Sequence, residues 1–279
     1  IAPMIPPGLT LGLPIAVNPP PGLYFTSRSA YYRAGLVNNQ GTSAGQKSDI
    51  FSQSFQLTWV PGWKLFGADY KMFITAPFVD VTQTRTAPFP PPLRGRSEHS
   101  GMGNPKFQFL DLSWKLADGF FFGTGVGVYF PVGQWTLNAP INLGANFWTV
   151  EPSIGFTYFK DGWNASLHVL YDTNTENRAN RYYSGDQIFI NATLTKNFQG
   201  FNIGPVAYYQ KQVTNDRNKG GPTVFGGATA LKGEQFALGG LISRQFGPVG
   251  VQIMYTHDIY ARNAIKGGKA WLNLSYKLY

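Results

Sequence analysis

His99, His168 and His257 are the only imidazoles in this 279-residue chain, and it contains no cysteine. Ser166 and His168 stand two positions apart, so on an extended backbone they share a side, close enough for a nucleophile and its base. A lipid hydrolase carried on a barrel wall is therefore one chemistry the residues allow. Three scattered histidines without a thiolate have no metal-ligand spacing, and no metal is expected. Gly123-Thr124-Gly125-Val126-Gly127 is dense enough in glycine for a phosphate cradle. No strand–turn–helix unit follows it, so glycines that permit strand curvature or close approach are the better reading, and no cofactor is expected.

The other chemistry open to the chain is permeation. Asp69, Lys71, Asp111, Lys115, Glu151, His168, Asp172 and Asp258 fall on the polar parity of alternating segments. In a membrane barrel that parity faces the lumen, because a Lys or Arg turned toward lipid costs about 2–4 kcal/mol at the midplane. These side chains either line a pore or pair into ion networks that fill the interior, and the residues leave both open. The formal net charge is +9. Arg94, Arg96, Arg178, Arg181, Arg217 and Lys219, with Lys232, Arg262, Lys266 and Lys269, lie in or beside long loops. A basic mouth draws anions, and it equally suits lipopolysaccharide phosphates. The basic residues are too dispersed for nucleic acid to be an expected partner.

The segments that must position these residues alternate with period two. Ile188-Phe189-Ile190-Asn191-Ala192-Thr193-Leu194-Thr195 is the clearest, and the pattern recurs at 163–169, 249–253 and 272–276. In residues 50–60, Ser52, Ser54, Gln56 and Thr58 oppose Phe51, Phe55, Leu57 and Trp59. Such alternation marks strands with two unlike faces. Short turns near 60–62, 117–119, 160–162, 197–200 and 246–248 alternate with longer connections at 38–47, 84–102, 133–144, 174–185, 215–232 and 261–268. The expected strands are 22–37, 48–60, 63–81, 103–116, 120–132, 145–159, 163–173, 186–196, 201–214, 233–245, 249–260 and 269–279.

Composition agrees with a membrane setting. Charged residues make up 13% of the chain, about half the usual share for a soluble domain. No apolar run is long enough for a spanning helix, and the uncharged stretch from Gly119 to Val150 is broken by glycines and prolines. Only helices and closed barrels satisfy backbone groups inside lipid. The expectation is an all-β fold: a transmembrane antiparallel up-and-down β-barrel of twelve strands, with short periplasmic turns and long extracellular loops. Trp59, Trp63, Trp114, Phe120 to Phe122, Tyr158, Phe159 and Trp163 cluster at strand ends, as in an interfacial girdle. Large interior side chains would close a purely structural barrel. Gly123, Gly125, Gly127, Gly155, Gly204, Gly239 and Gly250 on the inward parity leave space instead.

Residues 1–22 stand apart from the barrel at 23–279. Seven prolines are interleaved with Ile1, Met4, Ile5, Leu9, Leu11, Leu13, Ile15 and Val17, so the segment is apolar yet unable to pair as a strand. It is either a tail or, better buried, a constriction folded into or against the lumen through Met4, Ile5, Leu9 and Leu11. The chain does not begin with methionine, and a signal peptide is expected to have been removed.

Pro20-Pro21-Gly22, Gly239-Gly240-Leu241-Ile242 and Leu272-Asn273-Leu274-Ser275-Tyr276-Lys277 resemble segments of proteobacterial outer-membrane channels associated with the meta-pathway of phenol degradation. The resemblance covers the whole chain. It implies a monomeric twelve-stranded barrel that takes up small, often hydrophobic molecules, and aromatic compounds are the expected cargo. The closing strand, which ends on the aromatic Tyr279, resembles the terminal signal read by barrel-assembly machinery, and outer-membrane lipid and lipopolysaccharide are the expected surroundings.

Overall fold

Period-two alternation becomes a closed antiparallel sheet in the computed structural model, which describes residues 6–279. Twelve strands cross in chain order. They are β1 (Gly22–Val37), β2 (Ser43–Val60), β3 (Ala68–Arg85), β4 in two pieces (Gly95–Met102 and Lys106–Ala117), β5 (Phe120–Tyr129), β6 (Thr149–Lys160), β7 (Trp163–Asn174), β8 (Gln187–Phe198), β9 (Phe201–Gln212), β10 (Glu234–Phe246), β11 (Val249–Arg262) and β12 (Ile265–Lys277). Each strand pairs with its neighbours in sequence, and β1 pairs with β12 from Tyr24 opposite Lys277 to Leu36 opposite Ile265. That last pairing closes the sheet into a barrel.

The two faces of the wall differ as their environments demand. Phe25, Phe55, Ile74, Phe109, Phe156, Leu167, Leu194, Ile203, Ile242, Ile253 and Leu272 are exposed on the outside. Such an apolar belt is tolerable only against lipid. Inward positions such as Thr157, Ser166, Asn191, Thr193, Gln210 and Thr256 are buried and polar. Aromatic rings pack at the short-turn end, with Trp59 and Trp63 edge to face at 5.1 Å and Phe120 tilted on Tyr158 at 4.8 Å. Phe159 departs from the expected girdle, because its parity turns it inward to line both interior cavities.

Several connections differ from the sequence reading. Residues 95–102, expected as loop, extend β4 and pair with β3 from Arg85 opposite Gly95 to Phe78 opposite Met102. Gly103-Asn104-Pro105 interrupts the strand there. The connection expected at 261–268 shrinks to a turn between Arg262 and Ile265. The first short turn instead lengthens, with Lys64–Leu65 folding back on Ala68 and Asp69. β2 and β3 are 18 residues long against 12 for β6 to β9. One side of the barrel therefore stands taller. Its upper outer surface is polar, with Arg33 bonded to Asp49 at 2.8 Å and Arg96 paired with Glu98.

Candidate permeation site

From Pro6 onward the N-terminal segment sits inside the wall, and successive stretches of it meet different sets of strands. Pro6 to Val17 winds through successive turns bonded three residues back, as in Leu11 N to Gly8 O at 3.1 Å. On one side it makes polar contacts. Gly12 N donates to Thr193 Oγ1 on β8 at 2.9 Å, Ala16 N donates to Thr157 Oγ1 on β6 at 3.1 Å, and Asn191 donates to Thr10 Oγ1 at 2.8 Å. On the other side Leu11 is fully buried among Ala30, Val206, Tyr208, Ala237, Leu241, Met254 and Trp271, with Leu9 packed beside it. Met4 and Ile5 lie outside the described residues. Two inward glycines make room for the segment. A Cβ on Gly123 would lie 3.3 Å from Ala16, and one on Gly155 would lie 2.9 Å from Ile15 Cγ2.

Of the charged residues assigned to the lumen, Lys71 pairs with Asp111 at 3.4 Å. Lys106 bonds Glu151, which also accepts from Tyr129 OH at 3.2 Å, and Glu151 has no exposed surface. Lys106 further lies 5.4 Å above the Phe73 ring. Asp172 is buried within range of Glu151, and neither of its oxygens meets a donor among the described residues. Asp258 is the hub of a second network, accepting from Tyr32 OH and Tyr208 OH at 2.5 Å each and from Gly267 N at 2.8 Å. His168 Nδ1 lies 3.0 Å from Thr10 Oγ1.

Two of these assignments need correction. Lys115 is exposed and lines neither cavity, because it lies at the short-turn end of β4, two residues before Ala117. Asp69 is paired with Lys64 at 2.6 Å in the folded-back first turn and lines neither cavity. The Ser166–His168 pair also fails as nucleophile and base. Ser166 Oγ donates to Asn164 Oδ1 at 2.6 Å and meets Thr157 Oγ1 at 2.9 Å, while His168 turns to Thr10.

The basic loops are partly neutralised. Glu176 receives Lys219 at 2.9 Å and Arg181 at 3.7 Å, and the Lys219 bond holds its carboxyl below the ordinary 4.5. Arg217 stacks on Tyr183 at 4.1 Å, Arg94 bonds the Phe89 carbonyl at 2.7 Å, and Arg178 is exposed. Tyr182 donates to Asp216 at 2.5 Å, so the loops at 174–186 and 213–233 are tied together over the mouth. Lys269, placed from sequence in or beside a long loop at the start of the last strand, is a lumen residue with almost no exposure. Its ammonium sits within 4.5 to 5.2 Å of Tyr32, Trp271 and Tyr208.

Two cavities adjoin the described part of the segment. The larger, about 950 Å³, is lined from Asn177, Tyr182 and Phe225 in the outer loops to Thr58 and Ser275 near the short-turn end. The smaller, about 570 Å³, lies around Lys160, Asp161, Gly162 and Arg244 at the short turns. Residues 33–274 match the family described as putative MetA-pathway of phenol degradation. The chain belongs to this family. No curated protein matches the sequence. Among solved structures, it resembles an outer membrane channel from Pseudomonas putida F1, at 15% identity over 98% of this chain and 99% of that one, with a TM-score of 0.80. It also resembles the beta domain of the Bordetella autotransporter Brka (10% identity, 92% and 100% covered, TM-score 0.54). The translocator domain of NalP from Neisseria meningitidis is similar too (9% identity, 94% and 91% covered, TM-score 0.51). These likenesses establish the fold, that of an outer-membrane β-barrel.

Sequence reasoning passed over Arg28, Tyr32, Lys106, Gln108, Tyr129 and Tyr208, all on inward faces. Parity alone identifies them, once Arg28 is counted with Tyr24, Thr26 and Tyr32 rather than with the neighbouring serines. Counting only acids, lysines and histidines hid the tyrosines that hold them.

Proposed function

We propose that the chain is a passive outer-membrane channel that admits small hydrophobic or aromatic molecules, with a preference for anions. The observation that carries this reading is the larger cavity. Its lining reaches from the outer loops to the short-turn end and mixes aromatic side chains, Phe73, Tyr129, Trp135 and Phe147, with polar ones. That mixture suits a ring that must slip past water-facing walls. The phenol-degradation description of the family agrees with aromatic cargo. The similar barrel from P. putida is itself an outer membrane channel.

In this reading the barrel works as a monomer in outer-membrane lipid and lipopolysaccharide, is placed there by the barrel-assembly machinery, and has no catalytic role. The inserted segment, including Leu9 and Leu11, is its constriction. Single-channel recording in a planar bilayer under a salt gradient tests the proposal. Discrete openings with a reversal potential on the anion side are expected, and deletion of residues 1–18 should enlarge them. A folded barrel that never conducts would overturn it.

A further inference from the structure

Six residues line both cavities: Leu13, Pro14, Thr26, Arg28, Phe159 and Ser275. They surround the place where the upper and lower spaces meet, beside the inserted segment. Arg28 is the only charged one. It is 7% exposed, and its single hydrogen bond among the described residues runs to the Leu9 carbonyl. No carboxylate pairs with it there. The inward positions across the sheet are neutral, Ser54 on β2 and Asn273 on β12, and Asn273 donates onward to Gln252 at 2.7 Å.

Three other cations on the lumen wall are compensated. Lys71 has Asp111, Lys106 has Glu151, and Lys269 stands over the rings whose hydroxyls bind Asp258. A buried guanidinium without a counter-ion is costly unless something anionic reaches it. Its planar fork matches a carboxylate through two parallel bonds.

We infer that Arg28 is a carboxylate-binding subsite at the junction of the two cavities, selecting small organic anions with an apolar body. Leu13, Pro14 and Phe159 supply the apolar contact, and the free edge of the guanidinium supplies the charge. Thr26 and Ser275 offer hydroxyls beside it. The inference rests on the channel reading and sharpens it. The recognised solute is an aromatic or aliphatic acid, held where the passage divides.

The test uses the full-length barrel in vesicles, with benzoate and its neutral counterpart benzamide as probes. Benzamide uptake is followed while benzoate is added. Benzoate should slow it, and in Arg28→Gln the concentration for half-inhibition should rise roughly tenfold, the scale of one charge-assisted hydrogen bond. Arg28→Lys should fall between the two. Equal inhibition of the wild type and a folded Arg28→Gln overturns the subsite while leaving the channel standing. Benzamide that never enters wild-type vesicles overturns both.

If Arg28→Gln loses the heat-dependent gel shift of a folded barrel, wild-type recordings decide. Benzoate added to potassium chloride should produce brief interruptions of single-channel current, and benzamide should not. Identical traces with the two probes would overturn the subsite.

Discussion

Lys269 Nζ donates to the Pro7 carbonyl at 2.9 Å, a contact between residues 262 positions apart. It joins the start of the inserted segment to the last strand. The ammonium is held on its other sides by Tyr32, Tyr208 and Trp271. Replacing it with methionine keeps the bulk and removes the bond. Lys269→Met should weaken docking of the segment by about 1.5–3 kcal/mol, the usual worth of a hydrogen bond from a charged group. Single-channel conductance should rise, with longer open periods, and an unchanged trace would remove Lys269 from its role as anchor.

Gly155 reaches the same end by sterics. A Cβ there would lie 2.9 Å from Ile15 Cγ2, so Gly155→Val must push the segment off β6. The barrel itself should still fold, since the side chain points into the lumen. Proteolysis of the N-terminal segment should accelerate in this variant, with conductance rising in parallel. A protected segment would mean that the wall yields instead.

Lys106 and Glu151 offer a test of stability. Removing one partner of a buried ion pair typically costs 3–5 kcal/mol, whereas replacing both with apolar groups is often neutral. Glu151→Gln should lower the denaturant midpoint of the barrel more than Lys106→Met combined with Glu151→Leu. The same ranking in heat-dependent gel mobility would corroborate it, and a milder single variant would contradict it.

The outer loops should respond to acid. Glu176 gains its stabilisation from Lys219 and Arg181 as a carboxylate, with its pKa depressed in the folded loop. That stabilisation is present above the ordinary value and is lost as pH falls through the lower, folded one, so it fades below about pH 4.5. Loop gating from the extracellular side should increase below that pH. Glu176→Gln should show the acid behaviour at neutral pH and little further change on acidification.

The barrel was readable because lipid and the interior impose opposite demands on alternate residues, and β8 from Gln187 to Phe198 obeys them at nearly every position. Where both faces are polar the signal vanishes. Gly95–Met102 rises beside the tall wall with Arg96, Glu98 and His99 exposed, so no alternation marked it as a strand. Ser27 and Ser29 blur the outward face of β1 by bonding Gln53, and Arg28 between them escaped notice. Parity placed Glu151, His168 and Asp258 on the inward face, but not their partners, because register across strands is a property of the closed sheet. Lys115 shows the limit from the other side, since its parity is inward while its depth is outside.

The inserted segment also constrains biogenesis. Its polar partners lie on β1, β4, β6, β7, β8 and β12, among them Arg28, Ser113, Thr157, His168, Thr193 and Lys269. A segment that precedes every strand in the chain is therefore among the last to find its bonds. A chain stalled before its final strand leaves Pro7 without Lys269 and Leu11 without Trp271, so seating of the leading segment reports that the barrel has been completed.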